Sequence, residues 1–434
     1  MSAKPLRATP LYRFYRAAMT GLAPLMWWTV SRKLKRADVP AIRMHERLGH
    51  PSIARPPGPL VWFHGASVGE SLAVLTLIET LLERRCDLQV LMTSGTASSA
   101  EILAKRMPER CQHQFAPLDA PGPVARFLDA WRPDAGIFVD SEIWPNMLVM
   151  AHQRGTRLAL VNARLSRSSV DGWRRFPDTS AFVLDQFDLI VTQNRQTAQN
   201  LRDMGAPEDR LRSGLNLKST AKPLPVDELE LARLRAALGD RPLWLASSTH
   251  KGEDEILLRA HKRLLASQPD ACLILIPRHP ERGDSLAELI AAGNLTCARR
   301  SRTEGLNAQT QVYLADTLGE MGLFYSLAPT VFMGGSLQDI GGHNPFEPAQ
   351  FAAAILTGPH VANFSETYEP LVSVGGAAMI ANEDELLAQL RRLLGSAPAR
   401  EQMGLAAKSF ADRGQAALEQ ITTDVLSVID GTLR

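Results

Sequence analysis

Cysteine is scarce in this chain of 434 residues. The four cysteines, at positions 86, 111, 272 and 297, show no C-x-x-C spacing of the kind used by metal and redox sites. Nothing in this pattern indicates a disulfide framework, and a reducing compartment is expected. The histidines and acids also lack the H-E-x-x-H pattern, so the sequence predicts no metal site.

Two nucleotide-binding signatures are missing as well. The polar loop after the first predicted strand reads His64-Gly-Ala-Ser-Val-Gly-Glu70. It is not a G-x-x-x-x-G-K-[ST] phosphate loop, and it is not the G-x-G-x-x-G turn of dinucleotide-binding folds. A nicotinamide-dependent oxidoreductase is therefore disfavoured.

Long apolar runs are absent, and the best membrane candidate is short. Residues 17–30 carry no charge, and Arg32, Lys33, Lys35 and Arg36 follow them closely. A helix needs about 20 apolar residues to cross a bilayer. We predict that residues 1–36 form a membrane-associating segment that lies at the interface or inserts as a short anchor. The alternative is a buried core helix with a solvated basic tail.

The distribution of charge supports an anionic partner surface. The whole chain has a net charge of +2, but residues 1–60 hold 11 basic and 2 acidic side chains. This N-terminal excess of positive charge favours contact with an anionic membrane.

Beyond residue 60, short apolar runs alternate with helical patterns in two series. The runs at 60–64, 88–94, 136–140, 157–162 and 189–193 predict one parallel sheet, and those from 242 to 381 predict another. The predicted class is α/β, with two Rossmann-like domains. We place the N-terminal domain at 37–220, a linker at 221–240 and the C-terminal domain, including the last helices, at 241–434.

Glu70 has two interpretations. Ser67-x-x-Glu70 matches a capping box, in which Ser67 caps the helix and the carboxylate folds back onto the cap. A carboxylate just after a parallel strand also lies where such sheets bind ligands, so Glu70 can act as a general base. The pattern alone leaves both roles open.

Other polar clusters follow strands in the same way. Thr317 to Glu320 and Asn344 to Glu347 read as helix starts, which are either simple caps or sites for phosphate. Arg278, between Pro277 and His279, is either a phosphate ligand or a solvated turn residue.

Two further clusters lie in the first half. Asp140 and Glu142 are either an acid pair or the polar start of a helix at Pro145. Lys218, at the domain junction, is either solvated or placed to offset developing negative charge.

Taken together, the clusters resemble those of the 3-deoxy-D-manno-oct-2-ulosonic acid (Kdo) transferases of lipid A assembly. The resemblance rests on several motifs in the same order, at 64–70 (HGASVGE), 140–146 (DSEIWPN), 162–166 (NARLS), 248–255 (STHKGEDE), 276–283 (IPRHPERG), 316–328 (DTLGEMGLFYSLA) and 333–349 (MGGSLQDIGGHNPFEPA). It implies a B-type glycosyltransferase fold, with two Rossmann-like domains facing a cleft. It also implies inverting transfer of Kdo from CMP-Kdo to a lipid A precursor, lipid IVA, at the cytoplasmic face of the inner membrane. The donor is a substrate, and no cofactor is implied.

The resemblance assigns roles residue by residue. Glu70 is the implied general base, and Asp140 takes the place of a stabilising acid that is usually Glu in the family. Lys218 is the implied stabilising lysine, although GLNLKST departs from the usual G-x-L-K-F-D. The implied CMP contacts are Pro277, Arg278, Leu318, Gly319, Glu320, Asn344, Pro345, Phe346 and Glu347.

Other functions are compatible with parts of this sequence pattern. A sugar-nucleotide epimerase, or another transferase of the same fold, would not need the N-terminal anchor. A non-catalytic membrane-bound nucleotide sensor would bind CMP without turnover.

Overall fold

The computed structural model describes residues 7–67, 70–71, 74–214, 217 and 224–433. The chain divides into two compact units, residues 1–218 with 416–434, and residues 219–415. Over the described residues, each unit contains a seven-stranded sheet whose strands are all parallel to their neighbours. The predicted α/β class with two parallel-sheet domains is confirmed.

The sheet of the first unit has the strand order β3-β2-β1-β4-β5-β6-β7. Its strands are β1 (Leu60–His64), β2 (Gln89–Ser94), β3 (Cys111–Phe115), β4 (Ala135–Val139), β5 (Arg157–Ala163), β6 (Leu189–Thr192) and β7 (Leu211–Ser213). Alternate residues of β1 belong to different cores: Leu60 and Trp62 lie in one, Val61 and Phe63 in the other. Both faces of the sheet are therefore covered, which explains why its strands read as continuous apolar runs.

Helices surround this sheet. In the first unit they are α1 (Pro10–Arg36), α2 (Ala41–Met44), α3 (Leu75–Arg84), α4 (Ala97–Ala104), α5 (Pro121–Trp131), α6 (Pro145–His152), α7 (Arg167–Arg174), α8 (Pro177–Leu184) and α9 (Arg195–Asp203). Several start with a side-chain cap, such as Thr96 on α4 and Asn194 on α9, as expected for helices that begin just after strands.

The second unit repeats this architecture with the strand order β10-β11-β9-β8-β12-β13-β14. Its strands are β8 (Leu243–Thr249), β9 (Cys272–Pro277), β10 (Cys297–Arg299), β11 (Val312–Leu314), β12 (Thr330–Met333), β13 (Ala354–Thr357) and β14 (Ala377–Met379). Its helices are α10 (Glu228–Leu238), α11 (Asp254–Leu265), α12 (Gly283–Ala292), α13 (Met321–Leu327), α14 (Phe346–Gln350), α15 (Ser365–Ser373), α16 (Glu383–Gly395) and the start of α17 (Ala397–Asp430).

The structure divides the chain differently from the sequence at two places. Residues 416–434, predicted to belong to the C-terminal domain, are part of the first unit. The reason is that Leu418, Ile421 and Val425 of α17 pack into a core formed by β1 and β4. The segment 221–240, predicted to be a linker, contains α10, whose Leu231 and Leu234 are buried in the core of the second unit.

The N-terminal helix α1 has two contrasting faces. Tyr12 and Leu34 are buried against the first unit. The opposite face carries exposed apolar side chains, with Phe14 70% exposed, Leu25 59% and Trp28 55%. Within the described ranges, no helix combines the length and the apolar character needed to cross a membrane. The alternative of a simply buried core helix does not describe α1.

Candidate functional site

In the first unit, the polar loops converge where the sheet order reverses. β1 pairs with β2 on one side and with β4 on the other, so the connections after β1 and β4 leave in opposite directions. Such a switch point is where parallel sheets bind ligands, outside the carboxyl ends of the strands. The loop from His64 to Glu70 follows β1, and the loop from Asp140 follows β4.

Glu70 forms the capping box predicted from the sequence. Ser67 donates its backbone N–H to Glu70 Oε2 at 3.0 Å, and the backbone N–H of Glu70 donates to Ser67 Oγ at 3.3 Å. Residues 65–69 also read G-x-S-x-G, the spacing of a nucleophile elbow, but the Ser67 hydroxyl is engaged in the cap. The cap uses Oε2 of the half-buried carboxylate, and within the described residues Oε1 has no assigned hydrogen bond.

His64 and Glu142 connect the two loops of the switch point. His64 Nε2 lies 3.1 Å from Glu142 Oε2. Trp144 Nε1 donates to the same carboxylate oxygen at 2.5 Å. Burial alone would raise the pKa of Glu142, but the contacts with His64 and Trp144 outweigh burial and leave its pKa below the ordinary value. Glu142 therefore contacts His64 and Trp144, and the interpretation of Asp140 and Glu142 as an acid pair stays a prediction.

Asp140 is held rigidly at the end of β4. It is buried and has a φ of 55°, the left-handed region that few residues other than glycine adopt. Asn162 Nδ2 donates to its carboxylate Oδ1, and the backbone N–H of Leu217 donates to Asn162 Oδ1 at 2.8 Å. This chain of contacts joins Asp140 to the residue that precedes Lys218. Lys218 itself lies outside the described residues.

A small apolar cavity lies between α1 and the loop after β1. Its volume is about 130 Å³, and its lining includes Met26 of α1, His64, Ala66 and Trp144. Tyr15 of α1 also donates its hydroxyl to Asp119 Oδ2 at 2.7 Å. The helix with the exposed apolar face is thus fastened to Asp119, and it lines the same cavity as Ala66 of the loop that carries Glu70.

Asp119 was not predicted to belong to the site. Its buried carboxylate accepts the backbone N–H groups of Asn146 and Met147, at 3.3 and 2.8 Å. Asp119 therefore caps the start of α6, although it is distant from that helix in the sequence. Burial raises the pKa of Asp119, and the hydrogen bonds from Tyr15 and α6 oppose that rise.

In the second unit, Pro277 and Arg278 stand at the end of β9. Arg278 donates its backbone N–H to Thr249 O of β8 at 3.0 Å, and its side chain is exposed. Burial raises the pKa of Glu347, and the nearby charge of Arg278 offsets part of that rise. The structure therefore brings Arg278 and Glu347 near each other, although they are far apart in sequence.

The loop from Thr317 to Glu320 is not the capping box that its sequence suggested. α13 starts after Glu320, and no side chain caps its first turn. Glu320 instead accepts hydrogen bonds from Arg300 and from the Thr317 hydroxyl. The Arg300 guanidinium is the main reason that the pKa of Glu320 lies below its ordinary value. Leu318 is 77% exposed, and Gly319 has a φ of 83°.

The Asn344 cap is present in a shifted form. Asn344 Oδ1 accepts the backbone N–H of Phe346 at 3.0 Å, and the short α14 begins at Phe346, one residue later than predicted. Phe346 is buried and stacks on Phe410. Phe346 therefore packs in the core of the second unit, and the contacts of Pro345 and Phe346 with CMP stay predictions.

A cavity of the second unit lies away from these residues. It has a volume of about 660 Å³, and it is lined by residues such as Leu243 and Pro329, at the amino ends of β8 and β12. Parallel sheets bind their ligands at the opposite edge, so this cavity is not a candidate for the site.

Comparison with known proteins supports the resemblance seen in the motifs. Residues 42–221 match the model of the family described as 3-deoxy-D-manno-octulosonic-acid transferase (kdotransferase). A probable mitochondrial 3-deoxy-D-manno-octulosonic acid transferase of Arabidopsis thaliana is 37% identical over 82% of this chain and 81% of its own length. The transferase of Haemophilus influenzae is 34% identical over 87% of this chain and 90% of its own.

The chain belongs to the Kdo transferase family. Its curated relatives are named as transferases, so the protein is a glycosyltransferase. A solved structure, the C-terminal CMP-Kdo binding domain of WaaA from Acinetobacter baumannii, is 32% identical and covers 42% of this chain and 96% of that domain, with a TM-score of 0.41.

Some residues of the quoted motifs were not predicted to have a role. His64, His250, Glu253 and His343 all stand inside the quoted motifs, yet none received a function. Their position in motifs directly after strands was the signal that could have singled them out.

Proposed function

We propose that this Kdo transferase moves Kdo from CMP-Kdo to lipid IVA with inversion at the anomeric carbon. The first unit takes the acceptor and the second takes the donor, in the two-domain arrangement of B-type glycosyltransferases. The observation that carries the proposal is Glu70, a half-buried carboxylate at the switch point of the first sheet, whose Oε2 is held by the backbone N–H of Ser67 while Oε1 has no assigned hydrogen bond among the described residues. The capping box and the catalytic role are therefore compatible.

Glu70 acts as the general base in this proposal. It removes the proton of an acceptor hydroxyl as that oxygen attacks the anomeric carbon of Kdo. The bond from this carbon to the phosphate oxygen breaks, and CMP leaves with the electron pair. Attack from the face opposite to CMP inverts the configuration.

Asp140 and Lys218 support the transfer. Asp140 is held by Asn162, and we assign it the role of a fixed negative charge near the developing positive charge of the sugar. Its side chain is shorter than that of the Glu usual in the family. Its backbone is in the left-handed region directly after the end of β4. Lys218 is assigned to the negative charge of the departing phosphate.

Donor binding falls to the carboxyl end of the second sheet. The guanidinium of Arg278 is suited to bidentate contact with the phosphate. The half-buried Glu347 is assigned to the ribose hydroxyls, and Asn344, which accepts the first N–H of α14, to the nucleotide. Leu318, Gly319 and Glu320 complete the proposed nucleotide contacts. No metal is required, because these groups can balance one phosphate.

A lipid acceptor explains why the first unit carries α1, a helix with an exposed apolar face. An exposed apolar stripe on this helix, continued by Arg32 and Lys35, suits an interfacial position on an anionic leaflet. The apolar cavity between α1 and the Glu70 loop is a place where the apolar part of an acceptor can approach the base. We place the protein at the cytoplasmic face of the inner membrane.

The experiment is a CMP-release assay with purified protein and CMP-Kdo, run with and without lipid IVA in detergent. The proposal predicts release of CMP that depends on lipid IVA. Release of CMP that does not depend on lipid IVA would indicate hydrolysis of CMP-Kdo. Binding of the nucleotide without any release of CMP from CMP-Kdo would indicate the non-catalytic sensor. Either outcome would reject the proposed transfer.

A further inference from the structure

Two histidines meet at the switch point of the second sheet. His250 follows β8, and His343 belongs to the loop after β12, the strand that pairs with β8. Their Nε2 atoms are 2.9 Å apart, and their rings are nearly parallel, with an angle of 8° between the planes. One nitrogen must donate and the other accept, so the neutral pair holds a single N–H between the two rings.

The backbone around the pair is rigidly built. The buried carboxylate of Glu253 accepts backbone N–H groups from both loops, at 2.7–3.0 Å, from His250, Gly335, Ser336 and Leu337. Gly335 has a φ of 67°, and a Cβ there would stand 3.1 Å from the ring of His343. The position therefore needs glycine for its backbone and for the closeness of the rings. A carboxylate shared between two loops fixes the distance between the histidines.

The surroundings of the pair are mainly positive. The charged and titratable groups that act on it are Arg278 and His279 after β9, Arg282, and the carboxylate of Glu253. Burial lowers the pKa of His343 to about 4, and the charges of His250, Arg278 and His279 act in the same direction. Burial also lowers the pKa of His250, although Glu253 opposes this. The pair is therefore neutral at pH 7 when nothing neutralises these charges.

We propose that His250 and His343 together bind an anionic oxygen group of the donor and that the pair takes up a proton as the donor binds. The inference rests on the proposed use of CMP-Kdo as donor. An anionic oxygen that accepts from both Nε2 atoms needs a proton on each of them. In the neutral pair the accepting ring holds its proton on Nδ1, and when that ring keeps this proton the second Nε2–H is an additional one that makes the pair cationic. The anion also offsets the positive charge of Arg278 and His279, so that the extra proton is retained.

Two groups of the donor share this chemistry, the phosphate and the sugar carboxylate. Calorimetric titration of the full-length protein with CMP tests the phosphate. The KM for CMP-Kdo, with lipid IVA as acceptor, tests both groups together. Each titration is run in two buffers of different ionisation enthalpy at pH 7, which gives the number of protons taken up on binding.

The test variants are His343→Gln and His250→Asn, which keep polar side chains but cannot become cationic. His360→Gln is the matched control, since its side chain is also in the second unit but faces Asp339. Thermal unfolding of each variant checks that the fold is retained. If one variant does not fold, the other still tests the inference.

We expect both variants to raise the Kd for CMP, or the KM for CMP-Kdo, by about tenfold or more, the effect of losing a hydrogen bond to a charged group. The proton uptake of the wild type is expected to be lost with it, while His360→Gln leaves both quantities unchanged. An effect on CMP assigns the phosphate, and an effect on CMP-Kdo alone assigns the carboxylate. Unchanged affinity, KM and proton uptake in both variants would overturn the inference and leave the donor assignment intact. A wild-type protein that binds neither CMP nor CMP-Kdo would overturn both.

Discussion

The two roles of Glu70 can be separated by a pair of substitutions in one capping box. Glu70→Gln keeps an oxygen that can accept the backbone N–H of Ser67, now at 3.0 Å, but cannot take a proton from the acceptor. Ser67→Ala removes the hydroxyl that receives the N–H of Glu70 at 3.3 Å and leaves the carboxylate in place. The first variant tests the base and the second tests the cap.

The expected magnitudes differ clearly. A general base contributes about 10²- to 10⁴-fold to the rate, so Glu70→Gln should lower kcat by at least about 100-fold. Its effect on stability should stay within about 1 kcal/mol, because a neutral hydrogen bond replaces a charge-assisted one and a small interaction with the helix dipole is lost. Ser67→Ala should cost about 1 kcal/mol through the lost cap and should change kcat by much less than Glu70→Gln.

The assay combines CMP release at saturating CMP-Kdo and lipid IVA with urea unfolding of each variant. Because the chain has two units, the unfolding transition of the first unit is the relevant one. If Glu70→Gln turns over like the wild type, the carboxylate is a cap and nothing more. If the activities of the two variants fall in proportion to their loss of stability, the base assignment is equally refuted.

The other expected outcomes concern the donor, the membrane, the switch point and metal. Arg278→Lys should raise the KM for CMP-Kdo by about tenfold or more, since lysine cannot form a bidentate contact with phosphate; an unchanged KM would place Arg278 outside the donor site. Leu25→Glu with Trp28→Glu should lower partition into anionic vesicles by about tenfold or more without changing CMP affinity, measured by vesicle sedimentation, and equal partition would contradict the interfacial role of α1. Glu142→Gln should lower the melting temperature at pH 7, because a carboxylate with a depressed pKa stabilises the fold above its unfolded pKa. The difference from wild type should vanish as pH falls through the folded pKa, and a difference that is constant with pH would refute the role given to the contacts of Glu142. Activity should survive EDTA, and a loss that Mg²⁺ restores would contradict the metal-free account.

Most of the fold could be predicted because the strands are apolar on both faces. The predicted run at 60–64 coincides with β1, and that at 189–193 contains β6. The strands that were missed lack this signal. β3 reads CQHQF and lies at the edge of its sheet. Its Gln114 is buried, and the side-chain oxygen accepts a hydrogen bond from Trp131 Nε1. β7 and β10 are three-residue edge strands.

The individual residues of the site could be predicted from the sequence, but the contacts between them could not. Each motif indicated a side chain at the end of a strand, because local sequence determines where a strand stops. Which side chains meet depends on strand order, which brings His64 to Glu142 and His250 to His343. The same limit explains why Glu142 was interpreted together with Asp140, its neighbour in sequence. It also explains why the end of α17 was assigned to the wrong unit, since an amphipathic helix does not specify which core it covers.

The measurement that tests the central claim most directly is mass spectrometry of the lipid product formed from CMP-Kdo and lipid IVA. The account predicts that wild-type protein adds at least one Kdo residue to the lipid, with release of CMP, and that Glu70→Gln forms about 100-fold less product in the same time. Lipid IVA that keeps its mass after incubation with folded wild-type protein, or full product formation by Glu70→Gln, would contradict it.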